Sequence, residues 1–303
     1  MEFGIRSIVL IVASAALVAC GQNQSGENLE SNSKGSNEQA PFSWGEVTGI
    51  IGGQNVNAND PIARSVVAIY DVQYKALCTA SIVSSRYLIT AAHCVHPGST
   101  SNLRVVYGAD MTNKASIVAV GMVTGAVQSP LWATNQNKAS DTGDIAVVRL
   151  ASPPPAAYVP ATILNDNSAL QAGKQVLLEG YGTSVGHPDA KSINDNGAGV
   201  LRAVVTKIIS PNYSQTEVMI DESQGKGSCH GDSGGPAYIQ VGGKTVLFGV
   251  TSRGTDQFCS KSVIYTNILA YAKWFPTAVQ QLEGQVQKLA SSMMPRFVAN
   301  LQE

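Results

Sequence analysis

The sequence predicts an all-β fold that closes with a helix. Short runs rich in Val, Ile, Leu and Tyr recur between turn residues from Ile50 onward. Many short strands with Gly- and Pro-bearing turns point to barrels or sandwiches. From Ile268 to Leu301 the period changes. Val279, Leu282, Val286, Leu289 and Met293 follow a 3-4-3-4 spacing that draws one apolar stripe along a helix.

The strand runs include Ser65–Tyr70, Tyr87–Thr90, Leu103–Tyr107, Ile145–Val148, Gln175–Leu178 and Thr245–Val250. Ser152-Pro153-Pro154-Pro155 falls near the middle and suits a crossing between two halves. Pro276 and Pro295 are expected to limit the continuity of the terminal helix. Its apolar stripe fits packing on the body, with a partner or membrane surface as the alternative.

At 303 residues the chain can bury a real core. Hydrophobic residues make up 44% and charged residues 14%, with a net charge of −1. That balance leaves no electrostatic footprint for nucleic acid. None of the five cysteines forms a CxxC, which argues against zinc and thioredoxin chemistry.

Before Ile50 the chain reads as an address and a tether. Arg6 and the apolar stretch Ile8–Val18 make a signal peptide over 1–19. Leu17-Val18-Ala19-Cys20 resembles the lipobox of bacterial lipoproteins, which implies lipidation of Cys20. Gly21 follows, and the resemblance then implies an outer-membrane or cell-surface protein. Residues 21–45 are rich in Ser, Asn, Gln, Glu and Gly and cannot bury enough surface to fold. Such a tether has an r.m.s. reach of roughly 25–30 Å.

Three motifs carry the chemistry. Thr90-Ala91-Ala92-His93-Cys94 offers a base. Asp144-Ile145-Ala146-Val147-Val148 offers a carboxylate ahead of a strand, and Gly231-Asp232-Ser233-Gly234-Gly235 offers a hydroxyl. A serine hydroxyl needs a base within hydrogen-bond reach and a third group to orient that base. Asp141 is the alternative carboxylate, but the strand that follows Asp144 favours Asp144. The chain order His, Asp, Ser differs from the subtilisin and α/β-hydrolase orders. On these motifs the sequence resembles the trypsin/chymotrypsin family over about residues 50–280. Ile50-Ile51-Gly52-Gly53, Gly180-Tyr181-Gly182, Ser252-Arg253-Gly254, and Tyr265-Thr266 with Trp274 add to the resemblance.

The resemblance implies two six-stranded antiparallel β-barrels, about 50–155 and 156–267, and a helix from about 268. It divides the chain into a signal peptide at 1–19, a lipid-anchored flexible prosegment at 20–49, a protease domain at 50–282 and a helical extension at 283–303. It implies a serine endopeptidase acting on protein or peptide substrates, with His93, Asp144 and Ser233 as its triad. The backbone N–H groups of Gly231 and Ser233 would form the oxyanion hole. Disulfides Cys78–Cys94 and Cys229–Cys259 would each contribute on the order of 3–4 kcal/mol. Cleavage before Ile50 would free an α-amino group to pair with Asp232, leaving the uncut chain largely inactive. Glu46-Val47-Thr48-Gly49 precedes that bond without Lys or Arg, so an activating protease or tolerance of small P1 residues is implied.

Gly227, Ser228, His230, Ser252, Arg253, Gly254 and Val263 align with the substrate pocket. Gly227 stands where trypsin has Asp, so the floor is expected to lack a carboxylate. Val263 is expected to shorten the pocket, favouring small or medium apolar P1 residues. Asp256 is an alternative acidic group for the pocket, and Arg253 replaces an aromatic wall. Gly108-Ala109-Asp110 gives no clear match to the calcium loop of some relatives, so no metal and no cofactor are expected. His96 and His187 are expected in solvated loops. The rival reading is a catalytically dead binding protein, but such relatives usually lose a triad member and this chain keeps all three.

Overall fold

Strands form where β-branched and apolar residues can fill one side of a curved sheet. They are β1 (Gln54–Asn55), β2 (Val66–Asp71), β3 (Ala76–Ile82), β4 (Tyr87–Thr90), β5 (Leu103–Tyr107), β6 (Ala119–Gln128), β7 (Ala146–Leu150), β8 (Gln175–Gly180), β9 (Arg202–Ser210), β10 (Glu217–Asp221), β11 (Pro236–Val241), β12 (Lys244–Gly254) and β13 (Ser262–Asn267). The computed structural model describes residues 50–300 except 58, 97, 99 and 187–196, and omits the side chains of 289, 290 and 292–300. The signal peptide, Cys20, the tether, Gly49 and His187 lie outside the described residues.

The first barrel closes in the order β2-β3-β4-β7-β6-β5, with β5 pairing back onto β2. The second sheet runs β1-β9-β10-β13-β12-β11-β8, and a β8–β9 pairing closes six of those strands into a second barrel. Leu88, Leu103, Val105 and Ile145 are fully buried in the first, and Val176, Leu178, Ile220 and Phe248 in the second. Full burial of each such side chain is worth about 1.5–3 kcal/mol. The expected fold class is the one observed. The Pro-rich crossing lies between β7 and β8.

One boundary differs from expectation. Residues from Ile50 do not begin the first barrel. Ile50 is fully buried in the core of the second barrel, and Ile51 pairs with Gly227. β1 likewise pairs with β9. An Ile-Ile pair needs an apolar wall, and the second barrel supplies it.

The terminal helix, α1 (Phe275–Asn300), follows a 3-10 turn at Ile268–Tyr271. Pro276 sits in its first turn, where a missing N–H costs nothing. The helix continues through Pro295, so the expected break there does not occur. Ala278 and Leu282 pack against Val127 and Val147 of the first barrel. Gly125 makes room, because a Cβ there would lie 2.8 Å from Leu282 Cδ2. Arg149 donates from Nε to Glu283 Oε1 at 2.9 Å and from Nη2 to Oε2 at 3.2 Å, and Tyr87 Oη donates to the same carboxylate.

Candidate active site

The first barrel supplies two of the three chemical groups. β4 ends at Thr90 and the chain turns through Ala92–Cys94, which carries His93. Asp144 stands just ahead of β7 and is 2% exposed. Its Oδ2 lies 2.8 Å from His93 Nδ1 and accepts from Ser252 Oγ at 2.7 Å. Its Oδ1 accepts from the His93 backbone N–H at 3.0 Å. With Asp144 accepting, Nδ1 carries the ring hydrogen and Nε2 keeps a lone pair. Burial pulls the His93 pKa down, but the hydrogen bond and charge of Asp144 outweigh it, so the imidazole titrates above its ordinary value.

The second barrel supplies the hydroxyl. Ser233 precedes β11, and its carbonyl accepts from Thr79 N of the first barrel at 2.8 Å, which sets it at the seam. Gly231 has φ 97°, a backbone conformation that disfavours residues with a Cβ. The N–H groups of Asp232, Gly234 and Gly235 each have a backbone acceptor. Among the described residues the N–H groups of Gly231 and Ser233 have none.

Asp232 turns inward and is fully buried. It accepts from Gly182 N at 2.7 Å and Cys229 N at 2.8 Å. Burial pushes its pKa up to about 7, although those two N–H groups and Arg202 act in the opposite direction. A Cβ at Gly180 or Gly182 would lie 2.1 and 2.4 Å from the Asp232 side chain, so both positions must be bare. Ile50 lies in the same barrel core, and Ile51 exchanges two hydrogen bonds of 3.1 Å with Gly227.

Two hollows meet at Ser233. One, of about 220 Å³, is lined by Ser228, His230, Ser252, Arg253, Gly254, Asp256 and Val263. The other, of about 160 Å³, is lined by His93, His96, Leu77 and the Cys78 and Cys94 sulfurs' residues. The first hollow is lined by the sequence-predicted pocket residues other than Gly227. A Cβ at Gly227 would lie 2.4 Å from Glu222 Oε1, so the Glu222 side chain packs against the bare backbone there. Glu222 is fully buried and accepts from Ser228 N at 2.7 Å through Oε1, and among the described residues Oε2 has no partner. Burial raises its pKa to about 8. Asp256 lines the hollow, but its carboxylate accepts from the N–H groups of Phe258, Ser260 and Lys261.

The trypsin family matches residues 50–275. The chain belongs to that family. Its relatives include brachyurin of Leptuca pugilator, 28% identical over 240 residues that cover 75% of this chain and 97% of that protein. Chymotrypsin-like elastase family member 1 of Canis lupus familiaris is 27% identical over 248 residues, covering 76% of this chain and 92% of that protein. CLIP domain-containing serine protease B4 of Anopheles gambiae is 27% identical over 225 residues, and the match spans 65% of this chain and 60% of that protein. Membership makes the chain a serine endopeptidase of the trypsin type.

Cys78 is bonded to Cys94 and Cys229 to Cys259. His93 and His230 each lie within ligand distance of one such pair. The oxidised sulfurs offer no thiolate there, so neither group has the donors of a metal site. Sequence reasoning missed Glu217 and Glu222. They flank the apolar run Val218-Met219-Ile220, which reads as a strand with solvated charged ends. Asp141, the alternative to Asp144, accepts from Ser214 Oγ and from Thr216 N and Oγ1, away from His93. Burial raises its pKa, but those hydrogen bonds outweigh it and lower the carboxyl overall.

Proposed function

We propose that this trypsin-family endopeptidase cleaves peptide bonds through an acyl-enzyme on Ser233. The observation that carries the reading is Asp144 joined at 2.8 Å to His93 Nδ1, with Ser233 across the same cleft. His93 Nε2 takes the Ser233 proton as Oγ attacks the substrate carbonyl. The oxyanion takes the unengaged N–H groups of Gly231 and Ser233. One such donor is typically worth about 3–4 kcal/mol in the transition state. The imidazolium, stabilised by Asp144, then protonates the leaving amine. Water repeats the sequence to release the acyl group.

Ile50 and Asp232 form the activation pair in this reading. Cleavage before Ile50 frees an ammonium group in the core that holds Asp232. A buried carboxylate without a cation is what such a group would neutralise. The preceding Gly49 makes another protease, or the enzyme's own tolerance of small P1 residues, the agent of cleavage. The hollow lined by Ser228, His230, Ser252, Arg253, Gly254 and Val263 takes the P1 side chain. With Gly227 bare and Val263 branched, small or medium apolar residues fit best. A peptide-library digest by the cut protein should be dominated by such P1 residues. Cleavage chiefly after Lys or Arg contradicts this specificity.

The two disulfides suit an exported protein. Residues 1–19 are a bacterial lipoprotein signal peptide in this reading, and Cys20 carries the lipid. Residues 20–49 are the prosegment, 50–282 the protease domain and 283–303 the extension. No cysteine bridges the prosegment to the body, so the activating cut also releases the enzyme from the membrane. Fractionation with N-terminal sequencing tests this. Active enzyme should begin at Ile50 in the soluble fraction, and active enzyme carrying acylated Cys20 would contradict it.

A further inference from the structure

Asp144 is held from the opposite barrel by a network that neither its own strand nor the triad accounts for. Its centre is Glu217, the first residue of β10, whose side chain is 1% exposed. Glu217 Oε1 accepts from Arg253 Nη1 at 2.8 Å, Thr142 Oγ1 at 3.1 Å and Thr142 N at 3.3 Å. Oε2 accepts from Asp141 N at 3.0 Å and Arg253 Nη2 at 3.1 Å. The fork of Arg253 thus faces the carboxylate squarely, and its Nη2 also donates to Ala139 O at 2.7 Å. Burial raises the Glu217 pKa, but Arg253 and the two backbone N–H groups outweigh it and keep the carboxylate ionised.

This grip falls on Asp141 and Thr142, just before Asp144. Asp141 has φ 51°, which a residue with a Cβ adopts only when its surroundings enforce it. Gly143, at φ 72°, is the bend that turns the chain into Asp144. A second route runs through side chains. Arg253 Nη1 lies 3.3 Å from Ser252 Oγ, which donates to Asp144 Oδ2 at 2.7 Å.

We propose that Glu217 and Arg253 are positioning residues for catalysis, a clamp from the second barrel that sets Asp144 against His93. The proposal rests on the reading of His93, Asp144 and Ser233 given above. Arg253 stands at the edge of the pocket, yet both of its terminal nitrogens are committed to the clamp. Position 253 therefore acts on the imidazole through Asp144 before it acts on substrate.

The test uses the protein cut before Ile50 and a peptide amide chosen from the library digest. Glu217→Gln and Arg253→Ala should each lower kcat roughly 10–100-fold with KM changed by less than about twofold. The acid limb of kcat/KM should move to lower pH, because a misplaced Asp144 raises the imidazole pKa less. The double variant should cost little more than either single one, since both remove one network. Arg253→Lys, which keeps the charge but not the fork, should fall in between and serves where the other variants fail to fold. In folded variants, an unmoved acid limb with unchanged kcat overturns the clamp. A rise in KM alone also overturns it, because these side chains would then only shape the groove. Ser233→Ala and Asp144→Asn are run alongside. If these keep full turnover, the catalytic reading itself fails, whereas their loss with Glu217→Gln unaffected removes only the clamp.

Discussion

The two sides of the cleft treat buried carboxylates differently. On the His93 side Asp144 and Glu217 are matched. Asp144 accepts from His93 and Ser252, and Glu217 accepts from Arg253 and the backbone of Asp141 and Thr142. On the Ser233 side Asp232 and Glu222 are not. Among the described residues the Asp232 side chain accepts from two backbone N–H groups, and Glu222 Oε2 has no partner. The physical consequence is a pair of opposite pKa shifts. Arg253 and the surrounding N–H groups overcome burial and hold Glu217 low, whereas burial lifts Asp232 to about 7 and Glu222 to about 8. The contrast teaches that the base and its orienting group are complete in the uncut chain. In the proposed activation, cleavage before Ile50 supplies a cation to the serine side.

Breaking the matched side should have the largest effect. Asp144→Asn should lower kcat by about 10⁴-fold, because the wrong imidazole tautomer then faces Ser233. Steady-state kinetics on the cut protein reads this, and a loss of tenfold or less would deny Asp144 its role. Breaking the unmatched side comes next. Removing one member of a buried ion pair costs about 3–5 kcal/mol. Asp232→Asn should therefore reduce the activity of the cut protein by roughly 10²–10³-fold and make cutting irrelevant. Equal activity in cut and uncut wild-type protein would end the activation argument.

A smaller effect sharpens the contrast at Gly227. A methyl group there would meet Glu222 Oε1 at 2.4 Å. Gly227→Ala should destabilise the protein by about 1–3 kcal/mol through overpacking. Adding Glu222→Ala should recover part of the loss, and denaturant melts of the single and double variants decide it. The last effect is pH dependence. Asp232 and Glu222 bind a proton more tightly folded than unfolded, so each withdraws stability as pH rises. For uncut protein the decline should begin in the ordinary carboxylate range and flatten above about 7 for Asp232 and about 8 for Glu222. Cutting should remove the Asp232 share, and Glu222→Gln the other. Stability of the uncut protein that rises across this window would contradict both assignments.

Much of the fold was legible because strand patterning is local. Tyr87–Thr90 and Leu103–Tyr107 form strands with the predicted bounds, and Gln175–Leu178 extends only to Gly180. The triad motifs were legible because their residue types and order are rare together. Glu217 and Glu222 were not, since burial of a carboxylate depends on partners distant in sequence. Glu217 meets Arg253 and Asp141, and Glu222 is defined by the bare Gly227 that folds over it. The pairing of Ile51 with Gly227, which carries Ile50 into the second barrel, was not legible, because Gly227 lies far along the chain.

The most direct test of the central claim is a fluorophosphonate reaction with protein cut before Ile50, followed by peptide mapping. The account predicts one adduct, on Ser233, which disappears in His93→Ala and is much slower to form in uncut protein. No adduct, or an adduct elsewhere that persists in Ser233→Ala, would contradict it.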